Sequence, residues 1–392
     1  VPSNHPPPPS AAPVPSGTGE PDPLLLRHGW DDHWQSTWQT SRQSLPEATG
    51  TASPDSGTGP PQPGRVVRTD RGRCDVLTAA GLLHAEVPPA LAVDPATAPA
   101  TGDWTAVSGA GGATARLLAV LPRRNALRRS AVTGSSLGQV LAANVDEVLI
   151  TVPLDVPLRL ARVERLLAIA WASGARPVVV LTKADVVDDP GLELAEVGAA
   201  APGARVRAVS TASGAGLAVL AAELTGTAVL VGPSGAGKSS LANALLGREA
   251  LAVGAVRAVD GRGRHTSVRR ELLPLPGGGA LIDTPGLRAV GLPETADGVR
   301  RAFADVEELA AACRFGDCGH VGEPGCAVLA AIVDGVLPTR RLDGYRKLLR
   351  EEARAAARTD QRLRAEQRRH RRSTTREHRR SRREREQERG DG

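Results

Sequence analysis

The sequence predicts a multidomain chain: an OB-like N-terminal β-barrel, a central α/β domain on a parallel sheet, and a small α-helical metal-binding domain before a basic tail. Three observations predict it. Five short β-type runs separated by Gly, Asp and Pro turns lie between Gly64 and Leu121. Farther on, Ala228-Val229-Leu230-Val231 runs into Gly232-Pro233-Ser234-Gly235-Ala236-Gly237-Lys238-Ser239, and Ser240 to Leu246 reads as a helix. That is the strand, loop and helix of a P-loop. Finally, Cys313, Cys318, His320 and Cys326 fall within 14 residues and use three of the chain's four cysteines.

The 392 residues are enough for two or three domains. Five Trp, two Phe, one Tyr and no Met leave the cores to Leu, Val and Ala, and argue against RNA binding by aromatic stacking. The sequence has no cleavable apolar leader and no apolar run long enough to span a bilayer, so a cytoplasmic protein without a membrane partner is expected. Of the net charge of +6, residues 346–392 carry +9, with 18 Lys and Arg against nine Asp and Glu. The basic tail therefore points to a polyanionic partner.

Residues 1–63 form a Pro-rich, low-complexity segment carrying one helix candidate, in which Trp30, Trp34 and Trp38 share a face. This is read as a docking helix for the body of the protein, with a partner-binding helix as the alternative. Residues 64–130 hold the OB-like, RNA-binding barrel, with strands at 65–68, 74–77, 82–87, 104–107 and 115–120. Its basic junction Pro122 to Arg129 either touches RNA phosphate or is a solvated linker. In residues 131–297, strands at 147–152, 177–181 and 205–209 alternate with a helix from Leu158 to Ser173, which makes a parallel sheet covered on both faces. Ligand sites then belong at the carboxyl ends of the strands.

One such end carries Thr182-Lys183-Ala184-Asp185. The Asp185 carboxylate can accept from N1–H and N2–H₂ of guanine, whereas adenine would leave it unpaired, so this residue can select GTP and GDP. Ser210-Thr211-Ala212 ends the next strand and can close over the base. In the P-loop, Gly232, Gly235 and Gly237 turn backbone N–H groups toward phosphate, with Pro233, Ser234, Ala236 and Ser240 completing the loop and the first helical turn. Lys238 would neutralise the β- and γ-phosphates and Ser239 would ligate Mg²⁺. Downstream, Gly263-Arg264-His265-Thr266-Ser267 offers Thr266 as a second Mg²⁺ ligand, and the strand ending Asp283-Thr284-Pro285-Gly286 brings Asp283 to the Mg²⁺ shell and the Gly286 N–H to the γ-phosphate. Loops held only by γ-phosphate and Mg²⁺ act as a switch on hydrolysis.

The base motif precedes the P-loop, the reverse of the ordinary Ras-type order. Over residues 64–345 the chain resembles the bacterial family of circularly permuted, ribosome small-subunit-dependent GTPases. The resemblance implies GTP hydrolysis stimulated by the 30S subunit, contact with its 16S rRNA, and a role in late maturation of that subunit. Thr182 departs from the family's Asn, which braces the site against the P-loop, and Ser267 departs from a second Thr in the switch loop. Leu287 stands where Ras-type enzymes carry a water-orienting Gln, so intrinsic turnover is expected to be slow, with His265 as the nearest catalytic candidate.

Cys313, Cys318, His320 and Cys326 make a Cys₃His set suited to a closed, structural Zn²⁺, and the resemblance gives them the same role. Asp317 and Glu323 are surplus to it. Residues 298–345 would be helical around the metal, with helices from Arg301 to Ala312 and Ala327 to Val336. In the tail, residues 346–392, Arg350, Arg354, Arg358 and Arg362 align at i+4 spacing on a helix candidate, a row that RNA could neutralise; a solvated tail is the alternative. Cys74 reads as a small buried residue and the chain as a monomer. Two rivals stand beside the switch enzyme: an RNA-binding module whose GTP site hydrolyses little, and a permuted GTPase of the large subunit.

Overall fold

A computed structural model describes residues 22–45, 60–94, 97–109, 115–129, 139–251, 270–283 and 296–359. The tryptophan segment is two helices, not one: α1 (Pro23–Arg27) and α2 (Asp32–Arg42). The first ends at Arg27 with His28 as its cap, and Asp31 starts the second, because its carboxylate accepts from the Trp34 backbone N–H and so caps α2. Trp30, Trp34 and Trp38 are all buried, and Trp30 meets Trp104 edge to face at 4.7 Å between ring centres. The docking role is thus observed.

The barrel strands are β1 (Gln62–Asp70), β2 (Arg73–Thr78), β3 (Gly81–Glu86), β4 (Trp104–Ser108) and β5 (Ala115–Val120), with α3 (Pro89–Ala92) between β3 and β4. Each lies where the alternation places it. Pairing runs β1-β2-β3-β5-β4 and closes through β4 onto β1, the order of an OB barrel. Val66, Val76, Ala85, Val107 and Leu117 fill it together with Cys74, whose thiol burial pushes up to about 12.

In the basic junction the first two arginines have partners within the chain and are not part of a free linker. Arg123 forks onto the buried Asp103 carboxylate at 2.7 Å, and Arg124 pairs with Asp31 and stacks over Trp34. Past it, β6 (Ala126–Arg129) and β7 (Gln139–Ala143) form a separate antiparallel ribbon.

The central domain follows as β8 (Glu147–Pro153), α4 (Leu160–Ser173), β9 (Arg176–Thr182), α5 (Gly191–Ala200), β10 (Arg205–Ala208), α6 (Leu217–Glu223), β11 (Thr227–Val231), α7 (Lys238–Leu246), β12 (Glu271–Pro274) and β13 (Ala280–Asp283). The sheet runs β10-β9-β8-β11-β13-β12, parallel except for β12. Its strands are apolar at successive positions because both faces are covered: Val148, Ile150 and Val152 pack with α4, while Leu149 packs with Leu220, Leu241 and Leu245 of α6 and α7. Edge strand β12 also pairs with β1 of the barrel at Glu271 and Arg68, so barrel and sheet are one hydrogen-bonded system.

Four helices close the described chain: α8 (Asp297–Ala302), α9 (Ala304–Ala310), α10 (Ala327–Val333) and α11 (Thr339–Thr359). The expected helix from Arg301 to Ala312 is broken at Phe303, which leaves helical geometry with ψ of 41° and buries its ring. Gly298 lets α8 lie directly on α4, since a Cβ there would stand 2.2 Å from the Ala168 carbonyl oxygen. The tail's helix begins earlier than expected, at Thr339, and Arg362 lies outside the described residues. Among the described residues no helix is long and apolar enough to cross a membrane.

Arg341 of α11 locks this domain to the sheet. It is buried, lies 4.2 Å from the Phe303 ring centre, and donates to Glu164 of α4 at 3.0 Å, to Asp305 of α9 at 2.5 Å and to the carbonyls of Ala200 and Ala302. Arg340 pairs with the same Glu164 but is largely solvated. Replacing Arg341 by Ala leaves Asp305 and the carbonyls of Ala200 and Ala302 without this donor, leaves Glu164 with Arg340 alone, and is expected to cost about 3–5 kcal/mol. Arg340→Ala is expected to cost at most about 1 kcal/mol. Urea unfolding of the two variants distinguishes them.

Candidate functional site

Val231 ends β11 in the middle of the sheet, and the chain must turn across the end of β8. A Cβ on Gly232 would lie 2.2 Å from Thr151 Oγ1, so only glycine fits, and its φ is +147°. Gly235 and Gly237 also take left-handed φ, +77° and +74°, the backbone form from which an anion-binding nest of N–H groups is built. Gly237 caps α7, whose first residues are Lys238, Ser239 and Ser240. The Lys238 ammonium donates to the carbonyls of Gly232 at 3.0 Å and Pro233 at 2.6 Å. Charged phosphate oxygens are stronger acceptors than these carbonyls and can take the same donors. Ser234 and Gly235 are exposed, while Ala236 is buried.

Thr182 closes β9. Its buried hydroxyl donates to the Ala236 carbonyl at 2.9 Å, joining the base motif to the P-loop across 54 positions of sequence. The brace that the family draws from Asn is therefore made here by a shorter side chain. Lys183 adopts φ of +58° and pairs with Asp155 at 2.5 Å. Ala184 is fixed by its N–H to the Val209 carbonyl, and the Asp185 carboxylate accepts from the Ser210 hydroxyl at 2.5 Å. That hydrogen bond holds the Asp185 carboxyl below its ordinary pKa, so it stays an acceptor. Ser210 Oγ in turn accepts from the N–H groups of Ala212 and Ser213, which folds Ser210-Thr211-Ala212 around the same carboxylate.

Asp283 ends β13, the strand beside β11. His265, Thr266, Ser267, Gly286 and Leu287 lie outside the described residues. Two residues of the site carry no motif. Thr151 donates to the Val231 carbonyl at 3.0 Å and lies under Gly232; a lone hydroxyl in the apolar run Val148 to Val152 was its sequence signal. Asp155 was signalled only by its place just past a strand end, between Pro153 and Pro157.

In the helical domain the four metal-ligand candidates converge, with all ligand atoms within 4.8 Å of one another. His320 Nδ1 is 3.6 Å from Cys313 Sγ and 3.5 Å from Cys326 Sγ, and the two sulfurs are 3.9 Å apart. Tetrahedral Zn²⁺ with ordinary bond lengths needs S···N edges of about 3.5 Å and S···S edges of about 3.8 Å, so the edges among Cys313, His320 and Cys326 fit the ion, and Cys318 stands within 4.8 Å of each of them. None of these cysteines is in a disulfide. Glu323 is not a ligand: its carboxylate accepts from the N–H groups of Gly319, Val321 and Gly322 and closes the turn that carries His320. Arg346 of α11 donates to the Gly319 and His320 carbonyls from the other side.

The sequence pattern described as RsgA GTPase matches residues 120–293. A protein of Streptomyces coelicolor named Small ribosomal subunit biogenesis GTPase RsgA is 54% identical over 87% of this chain and 90% of its own. The chain belongs to the RsgA GTPase family. A Streptomyces avermitilis protein of the same name is 52% identical over 87% of this chain and 89% of its own. In fold, the chain is similar to the crystal structure of YjeQ from Thermotoga maritima, with a TM-score of 0.58 at 24% identity, over 74% of this chain and 98% of that one. It is likewise similar to YloQ, described as a circularly permuted GTPase, with a TM-score of 0.56 at 22% identity, over 77% and 99%. GTP hydrolysis is the activity of the RsgA GTPase family, and the reversed motif order is its permuted fold.

Thr182→Val keeps the shape of the side chain but strips the Ala236 carbonyl of its donor. A buried acceptor without a partner costs about 1–3 kcal/mol, so guanine-nucleotide affinity is expected to fall roughly tenfold, and Thr182→Asn to retain it. Titration with a fluorescent GDP analogue checks both.

Proposed function

We propose that the chain is a GTP-driven switch in biogenesis of the small ribosomal subunit: it docks on the 30S subunit with GTP bound, and hydrolysis during late maturation releases it. The observation carrying this reading is the Thr182 to Ala236 hydrogen bond, which unites a guanine motif and a P-loop written in reverse order. Support for the partner comes from the names of relatives that are 54% and 52% identical over 87% of the chain.

In this reading Asp185 accepts from the guanine edge, with Thr182, Lys183, Ala184 and Ser210 to Ala212 around it. Gly232 to Ser240 wrap the phosphates, and Lys238 leaves its loop carbonyls for the β- and γ-oxygens. Mg²⁺ would be held by Ser239 and Thr266 with Asp283 in its outer shell, and would neutralise charge on the phosphates. Gly286 would donate to the γ-phosphate. Leu287 cannot orient water, so the ribosomal partner or His265 completes the site and turnover depends on docking. Cys313, Cys318, His320 and Cys326 would hold one Zn²⁺, which organises the helical domain and takes no part in hydrolysis. Barrel, helical domain and tail would face 16S rRNA, the tail supplying positive charge. The free protein is a cytoplasmic monomer.

The test is GTP turnover by the purified chain, alone and with small or large subunits, using Lys238→Ala as control and ATP as competitor. Stimulation by the small subunit of about a hundredfold or more, absent from the control and indifferent to ATP, is expected, as partner-completed sites give large gains. Equal stimulation by both subunits, or none, overturns the reading. Metal removal gives a second check: elemental analysis should find one zinc per chain. Stripping it, or Cys326→Ser, should lower the melting temperature by about 5 °C or more, because metal binding free energy is folding free energy.

A further inference from the structure

We infer that Asp155 is a positioning residue for guanine selection: it holds the Lys183 ammonium aside and so leaves the Asp185 carboxylate to the base. This rests on the GTP-site reading above. Asp155 belongs to no motif, yet its place is set by the motif strand. Pro153 is the register partner of Thr182, and the Leu154 N–H donates to the Thr182 carbonyl at 3.0 Å. Prolines at 153 and 157 stiffen the turn that carries it.

The need for such a residue comes from the crowding of donors around Asp185. One of its oxygens already accepts from Ser210. The remaining lone pairs are what guanine N1–H and N2–H₂ require. Lys183, two residues away and held at φ of +58°, lies close enough for its charge to act on Asp185. An unanchored ammonium there is a third donor in competition with the base. Asp155 removes it from that competition by a contact of 2.5 Å. The side chains of Lys183 and Asp155 are 35% and 38% exposed, so the pair adds little to folding stability. Its consequence is the position of the lysine. Holding the ammonium at its far end also fixes the methylene stem, the apolar part of Lys183 that a base can lie against.

The experiment measures dissociation constants of the full chain for GTP, ITP and ATP in wild type, Asp155→Ala, Asp155→Asn, Lys183→Met and the double variant Asp155→Ala/Lys183→Met. ITP lacks the N2 amino group and so reports one of the two hydrogen bonds to Asp185. Asp155→Ala and Asp155→Asn are expected to weaken GTP about five- to tenfold and to narrow the GTP-to-ITP ratio about threefold, the size of one contested charged hydrogen bond. Removing the competing ammonium as well should restore that ratio, so the double variant discriminates better than Asp155→Ala alone. A melting temperature equal to wild type shows that the variants are folded. Two outcomes overturn the proposal: GTP and ITP affinities of both Asp155 variants within about twofold of wild type, or losses in the double variant that equal the sum of the single ones. A wild-type chain that fails to prefer GTP over ATP would instead sink the GTP-site reading, whatever Asp155 does.

Discussion

A guanidinium taken out of water must have its donors met, and Arg65 has them met by three separate parts of the chain. It donates to the His28 carbonyl before α2, to the Gly102 carbonyl at the barrel's edge, and to Thr227 Oγ1 and the Asn144 carbonyl in the central domain. Burial pulls its pKa down to about 10, with Asp146 and Asp103 acting against the fall. The Trp104 ring, 5.1 Å away, closes the site to water. Moving any one of the three parts would leave a buried charge unsatisfied, which is far costlier than the loss of a surface pair. Thr227 is the first residue of the strand that leads into the P-loop, so the barrel's seat is continuous with the nucleotide site.

Permutation makes this kind of fastening necessary. When an α/β unit is cut at a new place, its neighbours attach at new points, here a barrel before β8 and a helical domain after β13. Arg341 fastens the second as Arg65 fastens the first, by reaching Glu164, Asp305 and two carbonyls at once. The two joints differ in one respect. The helical domain lies against α4, whereas the barrel pairs strand to strand with β12, directly after residues 252–269, which carry Thr266. Barrel register and the end of that segment of sequence therefore meet at a single strand.

Thr182 illustrates how a site tolerates a changed residue. What the position needs is a donor aimed at the Ala236 carbonyl, and at 2.9 Å a hydroxyl one bond from Cβ supplies it. A longer amide is one solution to that requirement. The turn around Ser210 follows similar economy, since one hydroxyl donates to Asp185 and accepts from two backbone N–H groups.

The chain by itself determined most of the elements and the candidate site. Short apolar runs placed most strands to within a residue or two, though β1 begins three residues before the expected run and β6, β7 and β12 were not anticipated. The P-loop glycines are written in order, and the spacing from Cys313 to Cys326 named the metal-ligand candidates, because these depend on neighbours near in sequence. Tertiary structure decided what depends on partners far away. Phe303 splits an apparently continuous helix because its ring is wanted in the core, and Arg123 and Arg124, which read as free positive charge, are claimed by Asp103 and Asp31. Arg65, Arg341 and Asp155 look like ordinary charged residues along the chain. Their roles come from burial, or from one opposing charge, and neither exists until the sheet, barrel and helices have packed.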